Sequence, residues 1–352
     1  MTDRGAPPGD APELARLEDW WARTIGATRG PLRATRFPGG FSNLTYLVED
    51  DAGAWVVRRP PPDVRGGIAH DVLREHRVLE AVHPRFPLAP RPIARCEDPA
   101  VLGAPFFVMA HVPGRILRGG DASAAALTPD AARAVGDAVV DTLAALHAVP
   151  VAEGPLAALG RPDGYVERQV AGWRARWERA RTSPQPAVEG AAAWLAEQLP
   201  KSQGAVLVHN DFKHDNLVLA EASAEVRGVL DWELATVGCP QLDLGTTLGY
   251  WVQGDDPPAL RKLGLGVTTL EGTPSRAEVV RRYETSSGRP IPDPTWAYVF
   301  GLFKVAVIAQ QLLARHEAGT ARDPRYAALG IAVTALGERA RAAIAADSIS
   351  GT

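Results

Sequence analysis

The sequence predicts an α+β chain of two lobes: a small antiparallel-sheet lobe with one main helix, and a larger, mostly helical lobe. Short β-type runs crowd residues 33 to 110, and only one strong helical stretch lies among them. After Pro113-Gly114 the pattern turns helical, and 352 residues exceed the roughly 250–300 at which a single hydrophobic core stops growing. The composition is globular, with 46% hydrophobic residues, 22% charged residues and a net charge of −3. No basic surplus is present to neutralise a phosphate backbone, so a small ligand is expected and nucleic acid is not.

Residues 1 to 10 read as a disordered leader, and Pro12 to Gly26 as a helix with Leu14, Leu17, Trp21 and Ile25 on one face. Arg33 to Phe37, Leu44 to Glu49 and Ala54 to Arg58 are strand-like, separated by Pro38-Gly39-Gly40 and Asp50-Asp51-Ala52-Gly53, which is turn chemistry. His70 to Val82 predicts a helix stopped by Pro84, and Arg91 to Cys96 and Pro105 to Ala110 predict two more strands. Thr128-Pro129 sets an N-cap and an N1 proline before a helix to His147, and Thr273-Pro274 repeats the signal for a helix to Ser286. Further helices are expected over Gly164 to Arg181, Glu189 to Leu199, Thr295 to Glu317 and Arg325 to Ala346, and residues 205 to 231 form one β-rich island among them. The expected domains are 1–111 and 112–352.

Two well-separated cysteines, Cys96 and Cys239, form no CxxC, so neither a zinc site nor a disulfide framework is predicted and a reducing compartment suits the chain. The N-terminus has no apolar signal-like region, and Lys304, Gln310 and Gln311 interrupt the apolar stretch Tyr298 to Leu313, so no membrane partner is expected and the cytoplasm is.

The densest polar cluster is His209-Asn210-Asp211-Phe212-Lys213-His214-Asp215-Asn216, set between two apolar strand-like runs. Fifteen residues beyond Asn216, Val229-Leu230-Asp231 delivers a carboxylate at the end of a buried strand. Asp211, then Asn216 five residues on, then Asp231 is the order that phosphoryl transfer uses in protein kinases. There one carboxylate takes the proton of the attacking hydroxyl, while an amide oxygen and a second carboxylate hold Mg²⁺. Lys213, two residues past the base, can reach the transferring phosphoryl group, although a solvent-facing lysine fits the same position. In the first lobe, Gly39, Gly40, Ser42 and Asn43 form a turn that could cover phosphates, though most such turns are simple hairpins. Arg58 occupies the place of the usual strand lysine, and Glu75 on the following helix is its natural ion-pair partner. No GxxxxGK[ST] is present, which excludes a P-loop enzyme on motif grounds.

Competing readings fall to the same residues. A metallohydrolase using His209, Asp211, His214 and Asp215 would need further ligands, and the next histidine is His316. A silent binding protein would have lost Asp211, Asn216 or Asp231, all of which are present, and a protein kinase would carry Ala-Pro-Glu after Asp231, which is missing. His209 reads as a structural anchor of its loop, His147 as a packed core histidine, Trp232 as packing, Trp251 as a candidate cleft residue, and Asp243 as a helix cap with an indirect role near the metal loop.

With these motifs in order, the chain resembles the aminoglycoside phosphotransferase and choline kinase superfamily. The likeness is greatest to the phosphotransferase domains associated with acyl-CoA dehydrogenases. It runs through Phe37-Pro-Gly-Gly-Phe-Ser-Asn43, Val57-Arg-Arg-Pro60, Arg74-Glu-His-Arg77, Arg168-Gln169 with Trp173, Leu207-Val-His-Asn-Asp211, Leu230-Asp-Trp-Glu-Leu234 and Phe303-Lys-Val-Ala306. It implies a bilobal protein-kinase-like fold and a phosphotransferase, dependent on ATP and Mg²⁺, that has an alcohol group as acceptor. Asp211 and Lys213 would serve catalysis and Asn216 and Asp231 the metal. Nucleotide would meet Gly39, Gly40, Ser42, Asn43, Arg58, Glu75 and the hinge residues Met109 and His111.

The chain departs from the pattern at Asn210, where glycine is usual, at Ala110-His111, and at Lys304, where arginine is usual and a bidentate anion contact is therefore weakened. Residues 255 to 352 carry 10 acidic and 12 basic side chains, so the carboxylate surplus that a polycationic antibiotic would need is missing. The resemblance implies instead a hydroxyacyl acceptor, a 4-hydroxy acid or its CoA thioester, with an acyl-CoA dehydrogenase as partner in the same pathway. Amino-alcohols, sugars, aminoglycosides and macrolides are the alternatives.

Overall fold

In the computed structural model, the described residues are 14–37, 43–61, 71–119, 122–262, 267–321 and 323–350. In chain order the elements begin with α1 (Leu14–Thr24), β1 (Arg33–Arg36), β2 (Leu44–Glu49), β3 (Ala54–Arg59), α2 (Val72–Val82), β4 (Pro92–Cys96), α3 (Pro99–Leu102) and β5 (Phe106–Ala110). There follow α4 (Ala122–Ala125), α5 (Pro129–His147), α6 (Tyr165–Ala180), α7 (Pro186–Glu197), β6 (Val206–Val208), β7 (Leu217–Leu219), β8 (Val226–Val229) and β9 (Thr236–Gly238). The chain ends in α8 (Pro240–Tyr250), α9 (Pro258–Arg261), α10 (Arg276–Ser287), α11 (Pro294–Glu317) and α12 (Leu329–Ala346). It divides into two compact units: one runs to Pro113 and takes in Arg227–Ala235, the other comprises Gly114–Val226 and the chain from Thr236 onward.

The first unit is built on a five-stranded antiparallel sheet in the order β1-β2-β3-β5-β4. Strand β2 alternates, with Leu44, Tyr46 and Val48 buried, as one core-facing side of a sheet requires. Its hairpin with β3 pairs Leu44 with Arg59 and Glu49 with Ala54. Asp50 ties this turn down by accepting from the Ala52 and Gly53 amides at 2.7 and 2.9 Å. Helix α1 packs Trp20 edge-on to Phe106 and Trp21 edge-on to Trp55, so the helix predicted at the start of the chain closes the core of this sheet. Asp71 caps α2 by accepting from the Arg74 amide at 2.8 Å, which places Glu75 in the first turn and buries it at 1% exposure.

In the second unit, Thr128 caps α5 with proline at its start, as its sequence predicts. The repeated Thr-Pro signal does not open α10: Ser275 is the N-cap, and a capping box with Glu278 begins the helix at Arg276. Helix α7 starts at Pro186, three residues before the expected Glu189, because that proline takes the first helical position. Residues 324–328 form a 3-10 turn ahead of α12, where one continuous helix is expected. Helices α8 and α11 cross closely at glycines. A methyl group on Gly245 would lie 2.3 Å from the Ala297 carbonyl oxygen, and one on Gly301 within 2 Å of the Gly245 carbonyl. Only glycine permits this approach, which fixes α11 against the helix that carries Asp243. Among the described residues α11 alone is long and apolar enough to cross a membrane, and 72% of its apolar window is buried inside the protein.

Candidate active site

Each unit gathers its own share of the expected residues. In the first unit, Arg58 sits on β3 at 8% exposure, and its guanidinium is shared among carboxylates. Nη1 meets Glu75 Oε1 at 2.6 Å, and Nη2 meets Asp231 Oδ1 at 3.0 Å and Glu233 Oε2 at 3.5 Å. Desolvation works against the arginine's charge, but Glu75, Asp231 and Glu233 outweigh it and hold its pKa above the ordinary value. Burial pushes Glu75 up to about 7 against the pull of Arg58. At 2.6 Å from a guanidinium the carboxylate form is the one that fits, and loss of Arg58 would leave it a buried, unpaired acid.

The neighbouring Arg74 donates to the carbonyls of Glu233 and Ala235, so α2 grips the segment after Asp231 as well as positioning Glu75. Asn43 donates through Nδ2 to Glu233 Oε2 at 3.1 Å, and Trp232 packs edge-on to Phe86 while its indole donates to the Val229 carbonyl at 2.7 Å. Asp231 itself has φ +70° and ψ 60°, the left-handed conformation that Asp and Asn tolerate best among residues with a side chain. Met109 is buried near the end of β5, and His111 just beyond it stacks on Phe37 at 6.5 Å. Gly39, Gly40 and Ser42 lie outside the described residues.

In the second unit, Asp211 follows β6 after a single sharp turn at Asn210, whose φ is +65°. That turn is held from three directions. Its amide donates to Asp243 Oδ1 at 2.7 Å, its side-chain oxygen accepts from the Tyr165 hydroxyl at 3.0 Å, and its carbonyl accepts from Lys304. Asp243 also accepts the His209 amide at 2.7 Å and meets His147 Nε2 at 3.1 Å, and Tyr283 meets the other ring nitrogen of His147 at 2.6 Å. Asp243 is therefore not the cap of its own helix. From the first turn of α8 it reaches back and holds the 209–210 backbone. His209 is fully buried and its Nδ1 accepts from the Asp211 amide at 3.3 Å, the role of a loop anchor.

Burial raises the pKa of Asp211, but Lys213, Lys304 and His209 together hold it below the usual carboxylate range, so it is ionised at neutral pH as a base must be. Lys213 Nζ lies 2.9 Å from Asp211 Oδ2 and 4.6 Å over the Tyr250 ring, so it is paired to Asp211 rather than facing solvent. Asn216 donates through Nδ2 to the Asp211 carbonyl at 2.8 Å and to Oδ2 at 3.1 Å. This leaves its amide oxygen without a hydrogen bond among the described residues. An amide oxygen is a hard donor of the kind Mg²⁺ takes. Among the described residues no group of three or more His, Cys, Asp or Glu could hold a metal ion. Trp251 is core rather than cleft: it is 1% exposed, and its indole donates to the Pro274 carbonyl at 2.8 Å.

Lys304 does more than replace an arginine. It is 2% exposed, donates to the Asn210 carbonyl and to Thr246 Oγ1, and burial pushes its pKa down to about 8 despite Asp211 and Asp243. As pH rises through about 8 the turn before Asp211 therefore loses its cation, and kcat is expected to fall. Stability moves the other way. The unfolded lysine stays protonated to about 10.4, so between the two values the unfolded chain binds more protons and the folded state gains as pH rises. A pH profile of kcat beside urea midpoints checks both trends. Lys304→Arg should hold its rate to higher pH because arginine stays charged.

Comparison with known proteins gives the chain's family and fold. Residues 33–279 match the model of the phosphotransferase enzyme family. The chain is 36% identical over 302 residues to acyl-CoA dehydrogenase family member 11 of Gallus gallus, a match covering 83% of this chain and 38% of that protein. It thus spans well under half the length of that relative. Among solved structures, a Ralstonia eutropha protein provisionally named an aminoglycoside phosphotransferase shares 28% identity at a TM-score of 0.77, over 93% of this chain and 97% of the other. The GDP and kanamycin complex of an aminoglycoside phosphotransferase, 17% identical, shares the fold at a TM-score of 0.62, over 93% and 98% of the two chains.

Proposed function

The chain belongs to the phosphotransferase enzyme family, and from that premise we propose that it is an ATP- and Mg²⁺-dependent small-molecule kinase whose acceptor is a hydroxyacyl compound, a 4-hydroxy acid or its CoA thioester. The observation that carries the kinase reading is the Asp211 carboxylate, kept ionised by Lys213 and Lys304 and tied to the Asn216 amide five residues on. In this reading Asp211 orients the acceptor hydroxyl and takes its proton at Oδ1 or Oδ2, so that transfer is direct and in line with no phosphoenzyme. Asn216 and Asp231 would hold Mg²⁺, which neutralises charge on the transferring phosphates when bound. Lys213 neutralises charge beside the base, and Arg58, fixed by Glu75, faces the nucleotide phosphates. Purine contacts fall to the backbone near Met109 and His111, and phosphate cover to Gly39, Gly40, Ser42 and Asn43. The nucleotide reading is supported by the GDP complex of a protein with this fold.

The acceptor class is supported by the likeness to an acyl-CoA dehydrogenase family member, in which this chain corresponds to 38% of the length, and by the lack of a carboxylate surplus in residues 255 to 352. A dehydrogenase acting in the same pathway is the matching partner, and the cytoplasm suits two buried free thiols, Cys96 and Cys239. The deciding experiment is an ATP-consumption screen over hydroxyacyl-CoAs, free hydroxy acids, choline, sugars and aminoglycosides. Turnover of kanamycin-like compounds alone would replace the acceptor and keep the kinase.

The role of Arg58 has its own measurement. Arg58→Met removes the guanidinium that meets Glu75, Asp231 and Glu233, so the folded state should lose about 3–5 kcal/mol in urea unfolding. At temperatures where the variant stays folded, the apparent KM for ATP should rise about tenfold or more, the loss of a charge-assisted phosphate contact. An unchanged KM would leave Arg58 a purely structural role.

A further inference from the structure

Helix α6 carries Trp173 and Arg176 three residues apart, neighbours on its surface. The guanidinium of Arg176 lies 4.7 Å over the Trp173 ring, and the ammonium of Lys304, from α11, lies 5.3 Å from the same ring. Trp173 is 8% exposed, and its indole Nε1–H has no hydrogen-bond acceptor. Arg176 is half-buried; desolvation, then Arg179, lowers its pKa, and among the described residues no carboxylate or carbonyl accepts from it. Lys304 spends two of its three donors, on Asn210 and Thr246. Three donor groups, two of them cationic, thus meet at one indole.

The nearby carboxylates are already engaged. Asp211 is held by Lys213 and Asn216, and Asp243 by two backbone amides and His147. Stacking on an aromatic ring offsets part of a cation's desolvation but gives a buried N–H no acceptor. The missing complement is an anion.

We propose that Trp173, Arg176 and Lys304 form an anion subsite beside Asp211 that receives a carboxylate or phosphate group of the phosphate acceptor. The assignment rests on the reading of Asp211 as the base that meets the acceptor's hydroxyl. It adds the groups that recognise the acceptor's charge, and it explains how the acceptor is turned with its hydroxyl toward Asp211. Two sources can supply the anion: the carboxylate of a free hydroxy acid, or the phosphates of a CoA thioester.

The test follows the Trp173 indole N–H directly, in ¹H–¹⁵N spectra of tryptophan-labelled protein with the resonance assigned from Trp173→Phe. Titration with 4-hydroxybutyrate tests the carboxylate and titration with CoA tests the phosphates, while neutral 4-hydroxybutyramide serves as control. A saturable shift of this resonance with the acid or with CoA, and not with the amide, supports the subsite and identifies the source. Arg176→Gln should then weaken that binding about tenfold or more, and Arg176→Glu should abolish it. No shift with either anion, or an equal shift with the amide, overturns the proposal. Because the readout needs neither nucleotide nor turnover, failure of the subsite (no indole shift) and failure of the kinase reading (no ATP consumption with any acceptor) are seen separately.

Discussion

Replacing Asp211 with asparagine is expected to lower kcat by roughly 10² to 10⁴, the usual cost of losing a general base, and to leave nucleotide affinity nearly unchanged. The substitution keeps the side chain's shape and an oxygen that can still accept from Asn216 Nδ2, now 3.1 Å from Oδ2. What it removes is the proton acceptor, together with the negative charge that Lys213 meets at 2.9 Å. Steady-state kinetics with an acceptor from the screen, beside calorimetry with Mg-nucleotide, separates the two quantities. Full turnover by Asp211→Asn would show that the acceptor hydroxyl needs no base here.

Asp243→Ala should be the most damaging substitution for the fold of the site. Asp243 is fully buried and engages the His209 amide, the Asn210 amide and His147 at once. Burial raises its pKa, but its hydrogen bond and charge contact with His147, helped by His209, win and hold it below the usual carboxylate range. Truncation takes the acceptor from the buried His209 amide and the part-buried Asn210 amide and the partner from His147, with a loss of about 3–5 kcal/mol expected. The turn at Asn210 is held left-handed by these contacts, so activity should fall further than stability at temperatures where the variant remains folded. Urea midpoints and kcat measured on the same preparation decide it: a variant as stable and as fast as the parent would show that Asp243 does not hold the loop.

The parts of this site that were legible in the sequence are those set by local chemistry. Asp211, Asn216 and Asp231 follow strand-like runs in a recognisable order, and the β3–α2 succession placed Arg58 and Glu75 opposite one another. Asn210 in place of glycine is itself a local signal, since asparagine and glycine share the left-handed conformation found there. What stayed hidden depends on contacts between distant segments. Asp243 meets His147 across 96 residues, and Arg74 meets the Glu233 carbonyl across 159, so neither periodicity nor spacing could announce them. The misplaced start of α10 is different, because Ser275 and Glu278 form a capping box that was readable and was overshadowed by the Thr-Pro pair. Trp251 was misjudged because an indole looks alike in sequence whether it lines a pocket or fills a core.

The membership of Arg227–Ala235 in the first unit bears on how this protein can be inherited and rearranged. A gene cut after Pro113 would yield an N-terminal piece without Asp231 and Glu233, two of the three carboxylates that Arg58 holds. Neither unit is a contiguous stretch of message, so recombination cannot shuffle one without tearing the other. What moves intact must carry both units together, and a match over 83% of this chain fills 38% of the Gallus gallus relative.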